Sequence, residues 1–242
     1  MGEHFTIEVF ENVDEELSLK VCDHFARVKK IGRHKNIVNL IEFNENGTWE
    51  KSTGEIEFIM YAVWETDYVG NLLGFLFAGT ELPEDICKFY FKQMLSAMHA
   101  VHSVGLVHNK VRPGTFFVDK HFNLRLSLFI MGIPIGGLKG SDKLEIMKRH
   151  QPYMAPEWHA EQQLSKSGDL FALAVLLFFM MIGSLPFYRA VPSERLYRFI
   201  YRGDFNLFWT HHLKRNLSKE SKNLLYQSFQ HNPKHRLPMV AL

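Results

Sequence analysis

The sequence predicts an α+β protein whose N-terminal part holds short strands and one helix, and whose C-terminal part is mainly helical. Two observations lead to this prediction. Short runs of β-branched and aromatic residues, partly alternating with polar ones, are concentrated before residue 65. From residue 83 onwards, apolar residues recur at intervals of three and four, which is the spacing of an amphipathic helix.

The N-terminal elements are predicted to form a small sheet with one helix. A strand is expected over Phe5–Phe10, and the apolar residues of 14–31 recur at helical intervals. The runs NIVNLIEF, at 36–43, and IEFIMYAVW, at 56–64, are predicted as two further strands. Because the stretch between them, at 44–55, is rich in turn residues, these two strands should form a hairpin.

A long helix is predicted to begin at Pro83, since proline is favoured at a helix start and Glu84 and Asp85 suit the first turn. One apolar stripe of this helix is expected to face the core. The stripe consists of Ile86, Phe89, Tyr90, Met94, Ala97, Met98 and Val101. Two short strands, at 115–118 and 123–128, are expected to follow the helix.

The composition favours a globular intracellular protein, since 46% of its 242 residues are hydrophobic and the formal net charge is only +2. Cys22 and Cys87 are far apart in sequence, which favours free thiols in a reducing compartment. The N-terminus lacks a secretory signal, and the most apolar segment, at 170–182, is shorter than the ~20 residues that span a bilayer. We therefore expect a cytoplasmic protein without a transmembrane helix.

Seven segments, taken in order, resemble a eukaryotic protein kinase domain over nearly the whole chain. They are HKNIVNLIEF (34–43), VWETDYVGNLLGFL (63–76), HSVGLVHNKVRPGTFFVDKHFNLRL (102–126), YMAPEW (153–158), GDLFALAVLLF (168–178), GSLPF (183–187) and NPKHR (232–236). The pattern is most similar to the calcium/calmodulin-dependent and AMP-activated group of serine/threonine kinases. The resemblance implies one two-lobe domain over 1–242, with an abbreviated small lobe at 1–64, a hinge at 65–70 and a large lobe at 71–242.

The resemblance also assigns the catalytic positions, and this sequence departs from the family at each of them. The aspartate that accepts the substrate proton is Lys110, an ammonium without a lone pair near neutral pH. The asparagine that holds magnesium is Thr115, and the magnesium-binding aspartate that should follow the next strand is Leu128. Leucine cannot bind a hard cation, so the resemblance implies a degenerate metal site.

In the small lobe, the lysine that contacts the nucleotide phosphates is Glu8, and its helix partner is His24 or Phe25 rather than a carboxylate. Only seven residues precede Glu8, so we expect the glycine-rich strands over the phosphates to be absent. Trp64, the residue before the hinge, is expected to crowd the adenine pocket.

Three positions that serve the architecture of the family are kept. The resemblance implies an internal ion pair between Glu157 and Arg236. It also implies hydrogen bonds from the backbone around His108 to Asp169, at the start of the central helix.

These departures predict a catalytically inactive pseudokinase that is not an enzyme, holds no cofactor or metal, and acts as a scaffold or structural subunit. A protein partner is expected to cover the edge of the first strand, through Phe5, Ile7 and Val9, and the C-terminal end near Leu242, or one of the two. Neither nucleic acid nor membrane insertion is expected.

The alternative interpretation is an atypical serine/threonine kinase or a nucleotide sensor, in which residues at other positions replace the missing catalytic groups. Lys20, Lys29 or Lys30 would then replace the missing lysine, and the nearest acids in sequence that could hold a metal are Asp119 and Asp142.

Overall fold

The computed structural model describes residues 4–10, 14–77, 81–129, 150–161, 164–212 and 217–239. Its N-terminal part contains one helix and three strands, as the sequence predicts. These elements are β1 (Phe5–Phe10), α1 (Glu15–Ile31), β2 (Leu40–Glu50) and β3 (Ile56–Glu65). The strands form one antiparallel sheet in the order β1-β3-β2, and the predicted hairpin of β2 and β3 is confirmed.

Strand β2 is longer than the sequence suggests, because residues 44–50 were expected to be a turn and instead continue the ladder with β3. A register shift between Asn44 and Gly47 absorbs the turn-forming residues of this stretch. The Tyr61 ring lies directly over Gly47, where an added Cβ would come within 2.4 Å of the ring. Gly47 is therefore needed for the close approach of this ring, which turn propensity alone does not indicate.

Helix α1 packs against one face of the sheet through the Phe25 ring, which stacks on Phe43 at a centroid distance of 4.2 Å. Asp14 caps this helix, since its side chain accepts a hydrogen bond from the backbone N–H of Leu17 at 2.8 Å. The cap and the stacked rings together fix the position of α1 on the sheet.

A second antiparallel sheet follows in the order β4-β5-β6. Its strands are β4 (Tyr68–Asn71), β5 (Phe116–Asp119) and β6 (Leu124–Leu126), and α2 (Leu72–Phe77) comes directly after β4. The sequence predicts β5 and β6 to within one or two residues. It misses β4, because four residues without strong alternation form a strand here only by pairing with β5.

The C-terminal part is mainly helical, so the predicted α+β class is confirmed. Its helices are α3 (Glu84–Ser103), α4 (Pro156–Glu161), α5 (Lys166–Ile182), α6 (Tyr197–Arg202), α7 (Phe205–Thr210) and α8 (Lys219–Ser228). Helix α5 is central and is buried along nearly its whole length. Among the described residues, no helix has both the length and the apolar character needed to cross a membrane.

The predicted core stripe of α3 is partly wrong. Ile86 and Phe89 are 39% and 52% exposed, whereas the buried face begins one residue later, at Cys87, and continues through Phe91 and Met94. The helix is apolar over a wide arc, so two adjacent stripes satisfy the same spacing. Packing against α5 selects between them.

A buried ion pair ties α4 to the segment after α8. The Arg236 guanidinium bonds both carboxylate oxygens of Glu157, at 2.8 and 2.6 Å, and lies 5.0 Å from the Phe171 ring of α5. Its side chain is 1% exposed. Hydrogen bonds from Arg236 hold the pKa of the Glu157 carboxyl below its usual range, although burial alone would raise it.

We predict that Glu157→Ala lowers the free energy of unfolding by about 3–5 kcal/mol, because the substitution leaves the Arg236 charge buried without its partner. Urea unfolding measures the change. Glu16→Ala is the control, since it removes only the exposed pair with Lys20 and should cost about 0.5 kcal/mol or less. Equal effects of the two substitutions would contradict the assigned role of the buried pair.

Candidate active-site cleft

Asp169 organises the loop that carries the candidate catalytic positions. Its carboxylate accepts hydrogen bonds from the backbone N–H groups of His108 and Asn109, at 2.8 and 2.7 Å, and lies 2.8 Å from His102 Nε2. Asn109 has a φ of 61°, a left-handed conformation that its bond to Asp169 helps to hold. The loop is therefore fixed from α5, at the position that the resemblance assigns to Asp169.

His108 joins this loop to the end of β6. Its Nδ1 accepts from the backbone N–H of Lys110 at 3.2 Å, so its Nε2 carries the proton and donates to the Ser127 carbonyl at 3.0 Å. Burial lowers the pKa of His108, and the Asp169 carboxylate opposes this shift. The imidazole thus acts as a neutral link between two backbone segments.

Lys110, at the position of the catalytic base, is partly buried in the cleft. Burial lowers the pKa of its ammonium, the Glu8 carboxylate opposes the shift, and the Arg112 guanidinium adds to it. Lys110 and His150 line the same small cavity, and burial lowers the pKa of His150 to about 4, with Arg112 and Lys110 contributing. The place where the resemblance puts a carboxylate thus holds Lys110, with the Arg112 guanidinium and the Glu8 carboxylate acting on it in opposite directions.

The two predicted metal positions do not fit a magnesium ion. The Thr115 hydroxyl is engaged locally, because it donates to the Arg112 carbonyl at 2.8 Å and accepts from the Arg112 N–H at 3.2 Å. Leu128 is completely buried and offers no oxygen ligand. Within the described ranges, no group of three or more histidine, cysteine or acidic residues could hold a metal.

Aromatic side chains pack across the cleft between the first sheet and the second. Trp64 is fully buried, and its ring lies 5.9 Å from Phe25 on α1 and 5.0 Å from Phe129, which follows β6. Phe129 in turn lies 6.1 Å from Phe117 on β5, and Phe117 stacks with Tyr68 on β4 at 5.0 Å. The indole therefore lies within an aromatic core.

Glu8 on β1 is half-buried, and His24 on α1 is buried. The Trp64 indole N–H donates to the Glu8 carboxylate at 3.1 Å, which places Glu8 against the aromatic core. His24 is 7% exposed, and its Nε2 has no hydrogen-bond partner in the described structure. Burial lowers the pKa of His24 to about 4, so this imidazole is neutral at physiological pH.

The displaced groups of the alternative reading are not brought into the cleft. The three lysines that could replace the phosphate-binding lysine, Lys20, Lys29 and Lys30, are exposed on α1. Asp119 is committed to the turn between β5 and β6, where Oδ1 accepts from the N–H groups of His121 and Asn123, both at 2.9 Å. These bonds hold the pKa of Asp119 below its usual range against the effect of burial. Asp142 lies outside the described residues.

The comparisons with known proteins decide the family. Residues 7–242 match the protein kinase domain. The chain belongs to the protein kinase family. The Maternal embryonic leucine zipper kinase of Danio rerio is 33% identical over 250 residues, which cover all of this chain and 33% of that protein.

Two further relatives are named as kinases. CBL-interacting protein kinase 19 of Oryza sativa subsp. japonica is 30% identical over 98% of the kinase domain and 44% of its own length. Serine/threonine-protein kinase CHK1 of Saccharomyces cerevisiae is 26% identical over 88% of the domain and 39% of its own length. The chain thus spans about a third to under half of these three relatives.

These names contradict the expectation that the chain is not an enzyme. The relatives are named as protein kinases, at 25–33% identity for those spanning most of the chain, and this similarity points to an enzyme. The expectation of a non-enzyme is therefore corrected. It rested on the residue types at Glu8, Lys110, Thr115 and Leu128, and on the small-lobe features inferred from the sequence: the missing helix carboxylate, the expected absence of the glycine-rich strands, and Trp64 before the hinge.

The sequence does not indicate which aromatic residues, besides Trp64, pack in the kinase cleft. Phe117, Phe129 and Tyr68 are far apart along the chain, and they meet only through the pairing of β4 with β5 and the turn after β6. The high aromatic content, 14% of residues, was the one signal available. The sequence also gives no sign that Arg112, two residues after Lys110, helps to lower the pKa of Lys110 and of His150.

We predict that the kinase domain loses stability as the pH falls from 6.5 towards 4, partly through His24. In this window the unfolded chain binds a proton at His24 and the folded chain does not, so the folded state is disfavoured. The free energy of unfolding falls between pH 7.5 and pH 5, and in the His24→Leu variant this fall should be about 2 kcal/mol smaller than in the wild type. Urea unfolding at both pH values measures this loss.

The exposed His99→Leu serves as the control and should leave the pH dependence as in the wild type. Burial also lowers the pKa of His150, so His150 contributes to the pH dependence of stability equally in both variants and in the wild type. An unchanged pH dependence in His24→Leu would contradict the burial of a neutral imidazole at this position.

Proposed function

We propose that this kinase domain binds a protein partner through β1 and serves as an interaction unit of a larger assembly. The observation that carries the proposal is the outward direction of the backbone groups of β1. The His4 carbonyl accepts from the N–H of Thr66 at 3.1 Å, so even-numbered residues of β1 direct their N–H and C=O groups at β3. The backbone groups of Phe5, Ile7 and Val9 therefore point away from the sheet.

The side chains of the same three residues support the proposal. Phe5, Ile7 and Val9 are 49%, 60% and 41% exposed, whereas antiparallel sheets usually present polar residues on a solvated face. No strand pairs with the outer edge of β1 among the described residues. An extended segment of a partner would satisfy the backbone groups and cover part of the apolar surface.

The remaining features of the proposal are a cytoplasmic location and the absence of nucleic-acid binding. The two cysteines of the described structure are free, which supports a reducing compartment. The net charge of +2 supports neither nucleic acid nor an anionic membrane as the partner. The C-terminal residue Leu242, where a partner contact was also expected, lies outside the described residues.

We predict that Val9→Pro abolishes partner binding without unfolding the domain. Proline removes the outward N–H of Val9, and no hydrogen bond to β3 depends on that group. The measurement is quantitative mass spectrometry of proteins that co-purify with the tagged chain from cells. Leu19→Pro would break α1, so the control is Leu19→Lys, which changes a more exposed apolar residue on that helix.

Proteins held by the wild type and by Leu19→Lys but lost from Val9→Pro would support strand addition. The same set of proteins on all three chains would count against it. Circular dichroism and thermal unfolding establish that each variant is folded.

A second candidate function is phosphoryl transfer to serine or threonine of a protein, which the names of the relatives favour. Lys110 is the group that could act in it, since burial lowers its pKa and a neutral amine has a lone pair. The amine would take the hydroxyl proton while the hydroxyl oxygen bonds to the terminal phosphorus of a nucleoside triphosphate. The bond from that phosphorus to the nucleoside diphosphate then breaks.

We predict that such transfer, measured with radiolabelled ATP and a peptide library, rises with pH as Lys110 loses its proton. Lys110→Met should abolish it, and the exposed Lys120→Met should leave it unchanged. A rate that is independent of pH, or that survives Lys110→Met, would exclude Lys110 as the base. No transfer by the wild type at any pH would exclude this second candidate and leave strand addition untouched.

A further inference from the structure

A cavity of about 800 Å³ lies at the C-terminal end of α1, and its lining reaches the β1 edge at Phe5 and the cleft at Leu128. Its walls come from the end of α1, the segment 37–41, the start of β1 and the segment 65–67. Lys120 and Leu128, the latter one of the two predicted metal positions, also line it, whereas Glu8, Trp64, Lys110 and Thr115 do not. Its size lies within the ~300–1,000 Å³ that small-molecule sites usually have.

Part of the cavity lining is apolar and buried. Val28, Ile37 and Val38 line it and are at most 4% exposed, so they form a packed floor. Phe5 and Ile41 also line the cavity and are each 49% exposed, which leaves apolar surface accessible at its rim. A ligand with an apolar body could therefore bury surface on both the floor and the rim.

Charged groups are arranged unevenly around the cavity. Lys29 and Arg33 line it at the end of α1, and the Lys29 ammonium lies 5.6 Å from the centre of the Phe43 ring. Asp67, which also lines the cavity, is already paired with Lys120 at 3.1 Å. Glu65 is the remaining carboxylate of the lining and would repel an anion placed beside it.

We propose that this cavity binds a small organic molecule with an apolar body and a single carboxylate, such as a medium-chain fatty acid. The apolar body lies on the Val28, Ile37 and Val38 floor, and the carboxylate lies at the Lys29 and Arg33 end, away from Glu65. A single charge fits this lining better than a polyanion, because the carboxylates of Glu65 and Asp67 also line the cavity. The cavity shares Phe5 with the proposed β1 contact, whereas Lys29, Arg33 and the apolar floor belong to the cavity alone.

The test is calorimetric titration of the full chain with octanoate, compared with octan-1-ol, which has the same chain length but no carboxylate. Octanoate is expected to bind the wild type and to bind Arg33→Glu roughly fivefold more weakly, the scale of an exposed ion pair. Glu65→Gln is expected to bind octanoate more tightly than the wild type. Arg33 is exposed, so its replacement leaves the fold intact.

Lys35→Glu is the matched control, since Lys35 is exposed nearby, carries the same charge and does not line the cavity. Its affinity for octanoate should equal that of the wild type. No binding of octanoate by the wild type would overturn the proposal. Equal weakening by Arg33→Glu and Lys35→Glu, or octan-1-ol binding as tightly as octanoate, would overturn the assignment of the carboxylate.

Discussion

The burial of Trp64 is the constraint on which the arrangement of the two sheets depends. Its ring contacts Phe25 on α1 and Phe129 after β6, and its indole N–H donates to Glu8 on β1. One side chain therefore joins the helix and strands of the N-terminal part to the second sheet. Aromatic pairs of this kind add about 0.5–1.5 kcal/mol each beyond the area they bury, so the contacts around Trp64 stabilise a closed arrangement of the two parts.

The C-terminal part is organised by a second buried polar centre. The Asp169 carboxylate fixes the backbone at His108 and Asn109, and the Glu157–Arg236 pair fixes the segment after α8. Both depend on α5, whose burial excludes water from the charges and makes the loss of either partner costly. The framework that holds a catalytic loop is thus intact, although the loop presents Lys110 where the family presents a carboxylate.

The family membership of the chain and the residues in its cleft point to different functions. Membership of the kinase family and the names of its relatives point to an enzyme, whereas Thr115 and Leu128 do not fit the magnesium ion on which the family's chemistry depends. Burial lowers the pKa of Lys110, against the effect of the Glu8 carboxylate. The outward backbone groups of β1 concern a different surface, so protein binding and phosphoryl transfer can be tested separately.

The sequence by itself determined the α+β class, the kinase resemblance and the central helix, because periodicity and ordered motifs are local signals. It also placed Glu157, Arg236 and Asp169, since their motifs fix their positions in the family's fold. The buried face of α3, strand β4 and the continuation of β2 past Asn44 were decided only by the tertiary structure. At each of these places the local sequence allows two conformations or two faces, and contacts with residues distant in the chain select one. The aromatic core around Trp64 has the same origin, because no local pattern reports which rings will meet.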